Sequence, residues 1–515
     1  MKNNERGSWG SNIGFLLAAI GSAVGLGNIW GFPYKMGKCG GFVFLLVYLA
    51  LAVFVGFAIM LSELALGRKT GSGPILAYKT YTKRFASIGW LALLAPALIM
   101  TFYSVLGGYC IYYVIINFLG IFRGMPDSGS FGVMLTNPWI SIGVLLLFMI
   151  ICFLINRGGI SGGIEKFNKV GMPALFVMLV IIIIRALTLP GAVEGLKFMF
   201  VPGYAVKAGF IEESPNLLSV LGTAGGQMFF SLSLAMGAMI TYGSYLGKGE
   251  NLPKNSVVIV VFDTLVALMA GLAVIPAAVA NGIKAGIPMG EIKLGGPSLL
   301  FATLQDVFHN MGPIGGVFGT IFYILVLIAA VSSAISLIEV IVTMFIDRNN
   351  LKGKSSDRNL ITILTCAAIT VVACLVAADG LGSNGIAPVD LFKGEAAGWN
   401  DCWLDFMDCW SEGLAMPIGA MLMALVIGWE KGSDSLYSEV RQGYSGNIHT
   451  FYRVCIKYIV PVVMCFISAG SIGDFFGNQT IGYLVAIALL LIYWALCRAS
   501  SWSAEPEPAA AAEEE

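Results

Sequence analysis

The chain has 515 residues, of which 57% are hydrophobic and only 12% are charged, and its formal net charge at pH 7 is zero. Soluble domains contain about 25% charged residues, so this composition excludes an ordinary soluble globular protein. The zero net charge argues against a nucleic-acid-binding protein. With only two histidines and no Cys/His cluster, the sequence gives no reason to expect a zinc or haem centre.

Apolar runs long enough to cross a membrane recur along the chain. A hydrocarbon core about 30 Å thick requires about 20 apolar residues per helix, and continuous runs exclude a transmembrane β-barrel, whose strands alternate. The predicted fold is therefore an all-α membrane protein with twelve transmembrane helices. The spans are predicted at about 12–36, 41–66, 88–120, 138–155, 167–188, 216–246, 256–281, 313–346, 359–378, 406–428, 454–474 and 480–497.

Lysine and arginine are concentrated in the loops on one side of these spans, for example at Arg68 and Arg348. Cytoplasmic loops carry this excess, so we expect the N-terminus and, with an even number of spans, the C-terminus in the cytoplasm. Cys39, Cys402 and Cys409 then lie near the outer face, where a disulfide and free thiols are both open alternatives.

Glycine interrupts the middle of the first span, in GSAVGLGN at 21–28. An opened helix exposes N–H and C=O groups that hydrocarbon tolerates only beside a cavity or a ligand, although a glycine face for close helix packing is an alternative. The sixth span has a parallel interruption, QMFFSLSLAMG at 227–237. Two interrupted helices indicate a transporter with a site at the membrane midplane. Their half-helix ends suit a carboxylate beside a cation such as sodium.

Two acidic residues lie within apolar spans. Asp263 is deep in the seventh span, which contains no Lys or Arg. A carboxylate near the bilayer centre costs about 2.5–3.5 kcal/mol or more, so we expect a bound cation beside it, with protonation as the alternative. Glu63, near the end of the second span, is predicted to accept hydrogen bonds from unwound backbone.

Hydroxyl groups mark two further spans. On the eighth span Ala329, Ser332 and Ser333 share a face. Two hydroxyls and a free carbonyl form the all-oxygen site that hard cations prefer, although serines also bond to carbonyls of their own helix. On the third span Ile99 and Tyr103 share a face and offer an apolar wall and a phenol, or else are ordinary core residues.

Three stretches together resemble the neurotransmitter:sodium symporter family, in particular its bacterial amino-acid transporters. They are AVGLGNIWGFPY at 23–34, GQMFFSLSLAMGAMITYGSY at 226–245 and VSSAISLIE at 331–339. The resemblance covers all twelve predicted spans and implies two inverted five-helix repeats, with helices 1 and 6 unwound at the midplane, plus two additional helices. It also implies alternating access, a bacterial inner membrane and no enzymatic activity.

The implied division of the chain follows the repeats. It comprises a cytoplasmic N-terminus (1–10), the first repeat (11–188), an extracellular loop (189–214), the second repeat (215–428), helices 11 and 12 with the preceding cytoplasmic loop (429–498), and an acidic tail (499–515) predicted to be disordered. The expected partners are an amino acid and membrane lipid; neither nucleic acid nor an obligate protein partner is expected.

The resemblance also implies the binding residues. The substrate-binding residues are Ser22, Ala23, Gly25, Leu26, Gly27, Ile99, Tyr103, Phe230, Ser231, Ser233, Met236, Ser333 and Leu337. One sodium ion is expected at Ala23, Asn28, Ser231 and Asp263. A second sodium ion is expected at Gly21, Val24, Ala329, Ser332 and Ser333. Chloride-dependent members have asparagine where this chain has Asp263, so no chloride is expected.

Gate residues are implied at both ends of the pathway. The inner gate is expected to comprise Arg6, Ser244, Tyr245 and Asp347. The outer gate is expected to use Gln227 and Asp408, but Gly31 stands where most members have an arginine. Lys35, one helical turn further on, is the candidate replacement, although it lacks the bidentate guanidinium.

The function predicted from these residues is sodium-coupled symport of a neutral L-amino acid. Gly25 leaves room for a carboxylate where monoamine carriers have an aspartate, and apolar residues such as Met236 favour a hydrophobic or aromatic side chain. Glycine or alanine as substrate is an open alternative. From other classes, a sodium-conducting channel and a non-transporting amino-acid sensor share the same polar groups.

Overall fold

The computed structural model describes residues 7–292, 294, 296–386 and 401–503, and all regular secondary structure in these ranges is helical. Ten of the described helices are long and apolar enough to cross a membrane, and a further span consists of two helices joined at a 48° bend. The main helices are α1 (Asn12–Ala23), α2 (Gly27–Lys38), α3 (Phe42–Thr70), α4 (Ile88–Arg123), α5 (Pro138–Asn156), α6 (Ile160–Leu187), α7 (Leu217–Ser231), α8 (Ala238–Gly243), α9 (Leu252–Lys284), α10 (Pro313–Leu351), α11 (Arg358–Asp379), α12 (Trp403–Glu430), α13 (His449–Phe476) and α14 (Gln479–Ser503).

Shorter helices lie in the connecting segments. They include Pro74–Tyr81, Gly129–Leu135, Ala192–Phe200, Tyr204–Lys207, Leu304–His309 and Ser433–Val440. Each predicted span falls on one or two of the main helices, so the all-helical membrane fold is confirmed. The fifth span begins earlier than predicted, because the segment Ile160–Glu165 continues the helix as a wide, π-helical turn. The helix α14 runs to Ser503, and residues 504–515 of the predicted tail lie outside the described residues.

Polar side chains fix where several helices begin. Asn251 accepts a hydrogen bond from the amide of Lys254 at the start of α9, and Asp357 does the same for Leu360 at the start of α11. Such caps pair amides that the first helical turn leaves without partners. The caps therefore stabilise the first turn of both helices.

The first and sixth predicted spans are both broken. Between α1 and α2, Val24 is extended (φ −72°, ψ 102°). Between α7 and α8, Ser233 and Ala235 have φ values of 52° and 59°, in a left-handed region that side chains other than glycine occupy rarely and at a cost. These breaks confirm that both interruptions read from the sequence open the helix rather than serve only as packing faces.

Long helices surround the two breaks. The helices α4 and α10 pack along each other over much of their length, α6 packs against α9, and α13 against α14. At one end of the bundle Arg68, at the end of α3, donates to Glu439 Oε1 (2.8 Å) and to the carbonyl of Glu250 (2.7 Å). All ten cysteines fall within the described residues, and all are free thiols, so the predicted possibility of a disulfide is not realised in this structure.

Candidate functional site

The two helix breaks face each other at the centre of the bundle. Ser233 donates its hydroxyl to the carbonyl of Ser22 (2.8 Å), and Gln227 Nε2 donates to the carbonyl of Gly27 (2.8 Å). Glu63 Oε1 accepts a hydrogen bond from the amide of Ala235 (2.8 Å), as predicted. Side chains therefore pair part of the backbone that the breaks expose.

Asp263 lies at the centre of a buried polar cluster between these helices. Asn28 Nδ2 donates to Asp263 Oδ1 (2.7 Å) and to Ser231 Oγ (2.9 Å), and Ser231 donates to Asp263 Oδ2 (2.8 Å). Tyr48, on α3, donates its hydroxyl to Ser231 (3.2 Å) and Asp263 (3.5 Å). The structure thus brings together three of the four residues predicted for the first sodium ion, and adds Tyr48. The fourth, Ala23, ends α1 and lines the adjoining cavity.

The charge of Asp263 is not balanced by a basic side chain. Its side chain is fully buried, and among the described residues no Lys, Arg or His nitrogen lies within 4 Å of its carboxylate. Hydroxyl, carboxylate and amide oxygens are the ligands that hard cations prefer. The residues present therefore fit a monovalent cation, although Asn28 Oδ1 accepts a hydrogen bond from the amide of Gly25 (3.0 Å) in this structure.

A second oxygen cluster connects the broken first span to α10. Ser332 Oγ lies 2.9 Å from the carbonyl oxygen of Ala329 and 3.4 Å from that of Val24. Ser333 Oγ lies 3.3 Å from the carbonyl oxygen of Val24 and 3.4 Å from that of Gly21. All five residues predicted for the second sodium ion thus contribute to one buried cluster. Both serines contact carbonyl oxygens of the broken first span, so they do more than bond to their own helix.

A narrow cavity lies between the breaks, α4 and α10. Eleven of the thirteen predicted substrate-binding residues line it: Ser22, Ala23, Gly25, Gly27, Ile99, Tyr103, Phe230, Ser233, Met236, Ser333 and Leu337. Leu26 contributes its amide to the hydroxyl of Tyr103 (3.0 Å) instead, and Ser231 belongs to the Asp263 cluster. The centre of a water molecule can reach about 10 Å³ of the cavity, about enough for one water. A larger ligand must displace side chains.

Glycine permits the close approach of α1, α2 and their neighbours around this cavity. A Cβ atom on Gly25 would lie 2.4 Å from Ser333 Oγ and 2.6 Å from the Tyr103 hydroxyl. A Cβ atom on Gly27 would lie 2.5 Å from the ring of Phe230. These glycines therefore keep the backbone within reach of the cavity.

The predicted inner gate contains more residues than sequence reasoning named. Tyr245 donates its hydroxyl to Glu339 Oε1 (2.9 Å), and Glu339 also forms a salt bridge with Arg358 at the start of α11. Trp9 donates its indole N–H to the carbonyl of Tyr242 (3.1 Å). An acid inside the apolar eighth span was the sequence signal for Glu339. Its partner on another helix was not identifiable from spacing.

Two of the predicted inner-gate residues have described contacts of their own. Asp347 Oδ2 accepts a hydrogen bond from the amide of Gly73 (2.8 Å). Ser244 Oγ donates to the carbonyl of Thr241 (2.6 Å). Arg6 lies outside the described residues, so the predicted Arg6–Asp347 pair stays a prediction.

The residues predicted for the outer gate pair differently from the prediction. Lys35 does lie beside Asp408, but its ammonium group pairs with Glu412, one turn beyond Asp408 on α12. Asp408 lies beside both groups, and Gln227 is held by the carbonyl of Gly27.

The sequence of this chain is similar to those of known proteins over most of its length. A model of the sodium:neurotransmitter symporter family matches residues 6–122 and 117–503. The chain belongs to that family. An uncharacterized sodium-dependent transporter of Bacillus subtilis, YhdH, is 33% identical over 483 residues, which cover 92% of this chain and 99% of that protein. An uncharacterized sodium-dependent transporter of Haemophilus influenzae is 30% identical over 483 residues, covering 90% and 97%.

The fold has a solved counterpart in the same group of proteins. The crystal structure of MhsT in complex with L-phenylalanine matches with a TM-score of 0.76 and 33% identity, over 90% of this chain and 99% of that one. As a member of the sodium:neurotransmitter symporter family, the chain is a sodium-dependent, multi-pass membrane transporter and not an enzyme. The predicted family resemblance is confirmed.

The Lys35–Glu412 pair should stabilise the contact between α2 and α12. Both side chains are largely buried (19% and 14% exposed), and removing one partner of such a pair costs about 3 kcal/mol or more. We expect Lys35→Glu to lower the thermal unfolding temperature by several degrees, because it brings three acids together. The double variant Lys35→Glu/Glu412→Lys should recover most of this loss.

Lys38→Glu is the matched control, because Lys38 lies one turn further along α2 with an exposed side chain. Unfolding is followed by tryptophan fluorescence in detergent. Equal losses for Lys35→Glu and Lys38→Glu, or no recovery in the double variant, would show that the pair contributes nothing.

Proposed function

We propose that this protein carries a neutral, hydrophobic or aromatic L-amino acid into the cell by sodium-coupled symport without chloride. The observation that supports this proposal is the position of the narrow cavity between a buried, unbalanced carboxylate and an opened helix. A carboxylate for the cation and the opened backbone for the amino acid are therefore present within one buried region. The MhsT structure, which contains L-phenylalanine, favours a substrate of the same class.

The substrate's polar groups have partners in the proposal. Its carboxylate would approach the amides of Gly25, Leu26 and Gly27 and the hydroxyl of Tyr103. That hydroxyl already accepts a hydrogen bond from the amide of Leu26. Its ammonium group would approach the carbonyls near Ala23, Phe230 and Ser231. A carboxylate suits the amides at the opened helix because they are donors without helical acceptors.

The substrate side chain would contact an apolar wall. Ile99, Phe230, Met236 and Leu337 line that part of the cavity, and methionine adapts to side chains of different shape. Because the cavity is narrow, Phe230 and Met236 would change rotamer when a large side chain enters. A carrier for glycine or alanine would require no such change, so a substrate panel separates the two possibilities.

Coupling between sodium and substrate follows from shared residues. Asn28 belongs to the Asp263 cluster, and its side-chain oxygen accepts a hydrogen bond from the amide of Gly25. Gly25 is one of the residues that line the cavity. A sodium ion at Asp263 would displace the Asn28 amino group and turn its oxygen inward, which releases the Gly25 amide for the substrate carboxylate. Each ligand would then favour the binding of the other, as linkage requires.

Alternating access also belongs to this proposal. The twelve spans would comprise two inverted five-helix repeats, 11–188 and 215–428, followed by helices 11 and 12, with both termini in the cytoplasm of a bacterium. The Tyr245–Glu339–Arg358 contacts and the predicted Arg6–Asp347 pair would close the cytoplasmic side. The Lys35–Glu412 pair would close the outer side.

The proposal predicts sodium-linked binding of amino acids. Thermal unfolding of purified protein should be measured with each of the twenty amino acids, in sodium and in potassium at equal ionic strength. Ligand at about 100 times its dissociation constant stabilises by about 2.7 kcal/mol, so apolar or aromatic amino acids should raise the unfolding temperature by several degrees in sodium only. A response to glycine and alanine alone would favour a small-substrate carrier, and no sodium-linked response to any amino acid would contradict the proposal.

A methyl group at Gly25 should disturb the site directly. We expect Gly25→Ala to weaken sodium-linked amino-acid binding roughly 10- to 100-fold, because overpacking costs about 1–3 kcal/mol and the new Cβ would overlap Ser333 and Tyr103. Gly222→Ala in α7 is the control, since nothing lies within 4 Å of its Cβ. Unchanged binding in Gly25→Ala, measured by isothermal titration, would place the substrate elsewhere.

The fixed charge of Asp263 should make chloride unnecessary. We expect uptake into proteoliposomes to be unchanged when gluconate replaces chloride at constant sodium. Asp263→Asn should raise the sodium concentration required for half-maximal uptake at least roughly tenfold, because it removes the only charge in the cluster. If uptake collapses in gluconate, the prediction of chloride independence is wrong. The proposal that transport is coupled to sodium would still stand.

A further inference from the structure

A buried acidic side chain at the start of α6 lies outside the central site. Glu165 is the last residue of the π-helical turn Ile160–Glu165, and its side chain is 2% exposed. It is not among the residues that line the cavity or form the two oxygen clusters. A buried carboxylate is costly unless it is paired, so its partners indicate its role.

The Glu165 carboxylate binds the chain just before α1. Its Oε2 accepts a hydrogen bond from the amide of Gly10 (2.7 Å), and its Oε1 accepts one from the hydroxyl of Ser11 (3.3 Å). The same hydroxyl accepts a hydrogen bond from the amide of Gly14 (3.0 Å) and caps α1. Oε1 also pairs with Lys169 Nζ (2.7 Å), one turn further along α6. The carboxylate and the first turn of α1 therefore form one hydrogen-bonded unit, and a negative charge is favourable at a helix N-terminus.

Glycine lets α1 lie directly on this carboxylate. A Cβ atom on Gly14 would lie 2.0 Å from Glu165 Oε1. Two turns along the same face of α1, a Cβ atom on Gly21 would lie 2.0 Å from Asn168 Oδ1, one turn beyond Glu165 on α6. The carbonyl of Gly21 belongs to the second oxygen cluster. The contact between α1 and α6 therefore runs from the start of α1 to that cluster.

Other hydrogen bonds at the start of α1 join neutral groups. Trp9 donates to the carbonyl of Tyr242 in α8 (3.1 Å), and the side chains of Asn12 and Asn255 exchange hydrogen bonds of 3.0 and 3.4 Å. Hydrogen bonds to an ionised group are roughly twice as strong as those between neutral groups. The charged contact with α6 is therefore the main polar anchor of this segment.

Release of this anchor frees α1 to move. Gly10 and Ser11 are exposed, so burial contributes little to holding them. The helix has 12 residues and is about 18 Å long, and it ends beside the extended residue Val24. A helix that is anchored at its start and broken at its end moves as a rigid lever about the break. Such a movement carries Gly21 away from Ser333 and takes the second oxygen cluster apart.

We propose that Glu165 is a positioning residue of the transport cycle. Its contact with Gly10 and Ser11, here called the α1 latch, holds α1 against α6 while the second cation site is occupied and opens when that site empties. This role rests on the proposed sodium-coupled transport. In the proposed orientation the latch lies at the cytoplasmic end of the bundle, and it acts on α1 itself.

The test is hydrogen–deuterium exchange of the full chain in detergent and potassium, read by mass spectrometry of peptides that cover residues 9–15. Glu165→Gln should raise the exchange rate of these amides roughly tenfold, because a neutral amide replaces an ionised acceptor. Lys169→Gln is the matched control, since it removes a charge from the same ion pair but leaves the carboxylate on Gly10. Equal exchange in the two variants, or no rise in Glu165→Gln, would overturn the proposal.

Uptake into proteoliposomes separates a latch from a merely structural contact. Glu165→Gln should raise the sodium concentration for half-maximal uptake roughly threefold or more, because fewer molecules are in the closed form that binds sodium, while the maximal rate is kept. A lower maximal rate at unchanged sodium dependence would contradict the latch. Absence of sodium-linked uptake in the wild-type protein would instead contradict the proposed function, on which the exchange measured in potassium does not depend.

A second variant keeps the carboxylate and displaces it. Gly14→Ala places a methyl group against Glu165 Oε1, so the exchange of the same peptides should rise, although alanine stabilises a helix relative to glycine. Gly143→Ala in α5 is the control, because nothing lies within 4 Å of its Cβ, and it should leave this exchange unchanged. Slower exchange in Gly14→Ala would show that helix propensity alone governs the segment and would contradict the latch.

Discussion

Backbone N–H and C=O groups inside a membrane must have hydrogen-bond partners. Two spans of this protein are opened in its buried interior, away from bulk water. The rest of the central region follows from that constraint. The Glu63 carboxylate accepts a hydrogen bond from the amide of Ala235. The side chains of Gln227 and Ser233 donate hydrogen bonds to the carbonyls of Gly27 and Ser22, respectively. Each of these hydrogen bonds joins two segments that are distant in the chain, so the breaks are held open by tertiary contacts and not by local sequence alone.

This constraint also explains why the ligand groups gather in one place. The broken first span contributes the carbonyls of Gly21 and Val24 to the Ser332–Ser333 cluster, and Asn28 to the Asp263 cluster. One opened helix therefore contributes to both oxygen clusters and to the lining of the cavity, which a continuous helix with all of its backbone groups paired cannot do.

Much of the fold was predictable because its signals are local. Apolar runs give the spans, and the glycines at 21–28 mark one opened helix before any contact is known. The serine pair on α10 was also readable, because Ser332 and Ser333 follow Ala329 by one helical turn. Helix ends were less predictable. The start of α6 depends on a π-helical turn in a glycine-rich segment that hydropathy does not register.

The contacts that sequence reasoning missed are those between helices distant in the chain. Tyr48 looks like an ordinary core aromatic residue until α3 is packed beside Asp263, where its hydroxyl joins the cluster. Lys35 was identified as the outer-gate cation, yet its choice of Glu412 over Asp408 depends on the length and direction of a flexible side chain. Both acids lie on the same face of α12, one turn apart, so helical spacing gives no basis for choosing between them. The relative position of α2 and α12 and the conformation of the lysine side chain together decide which acid the lysine reaches.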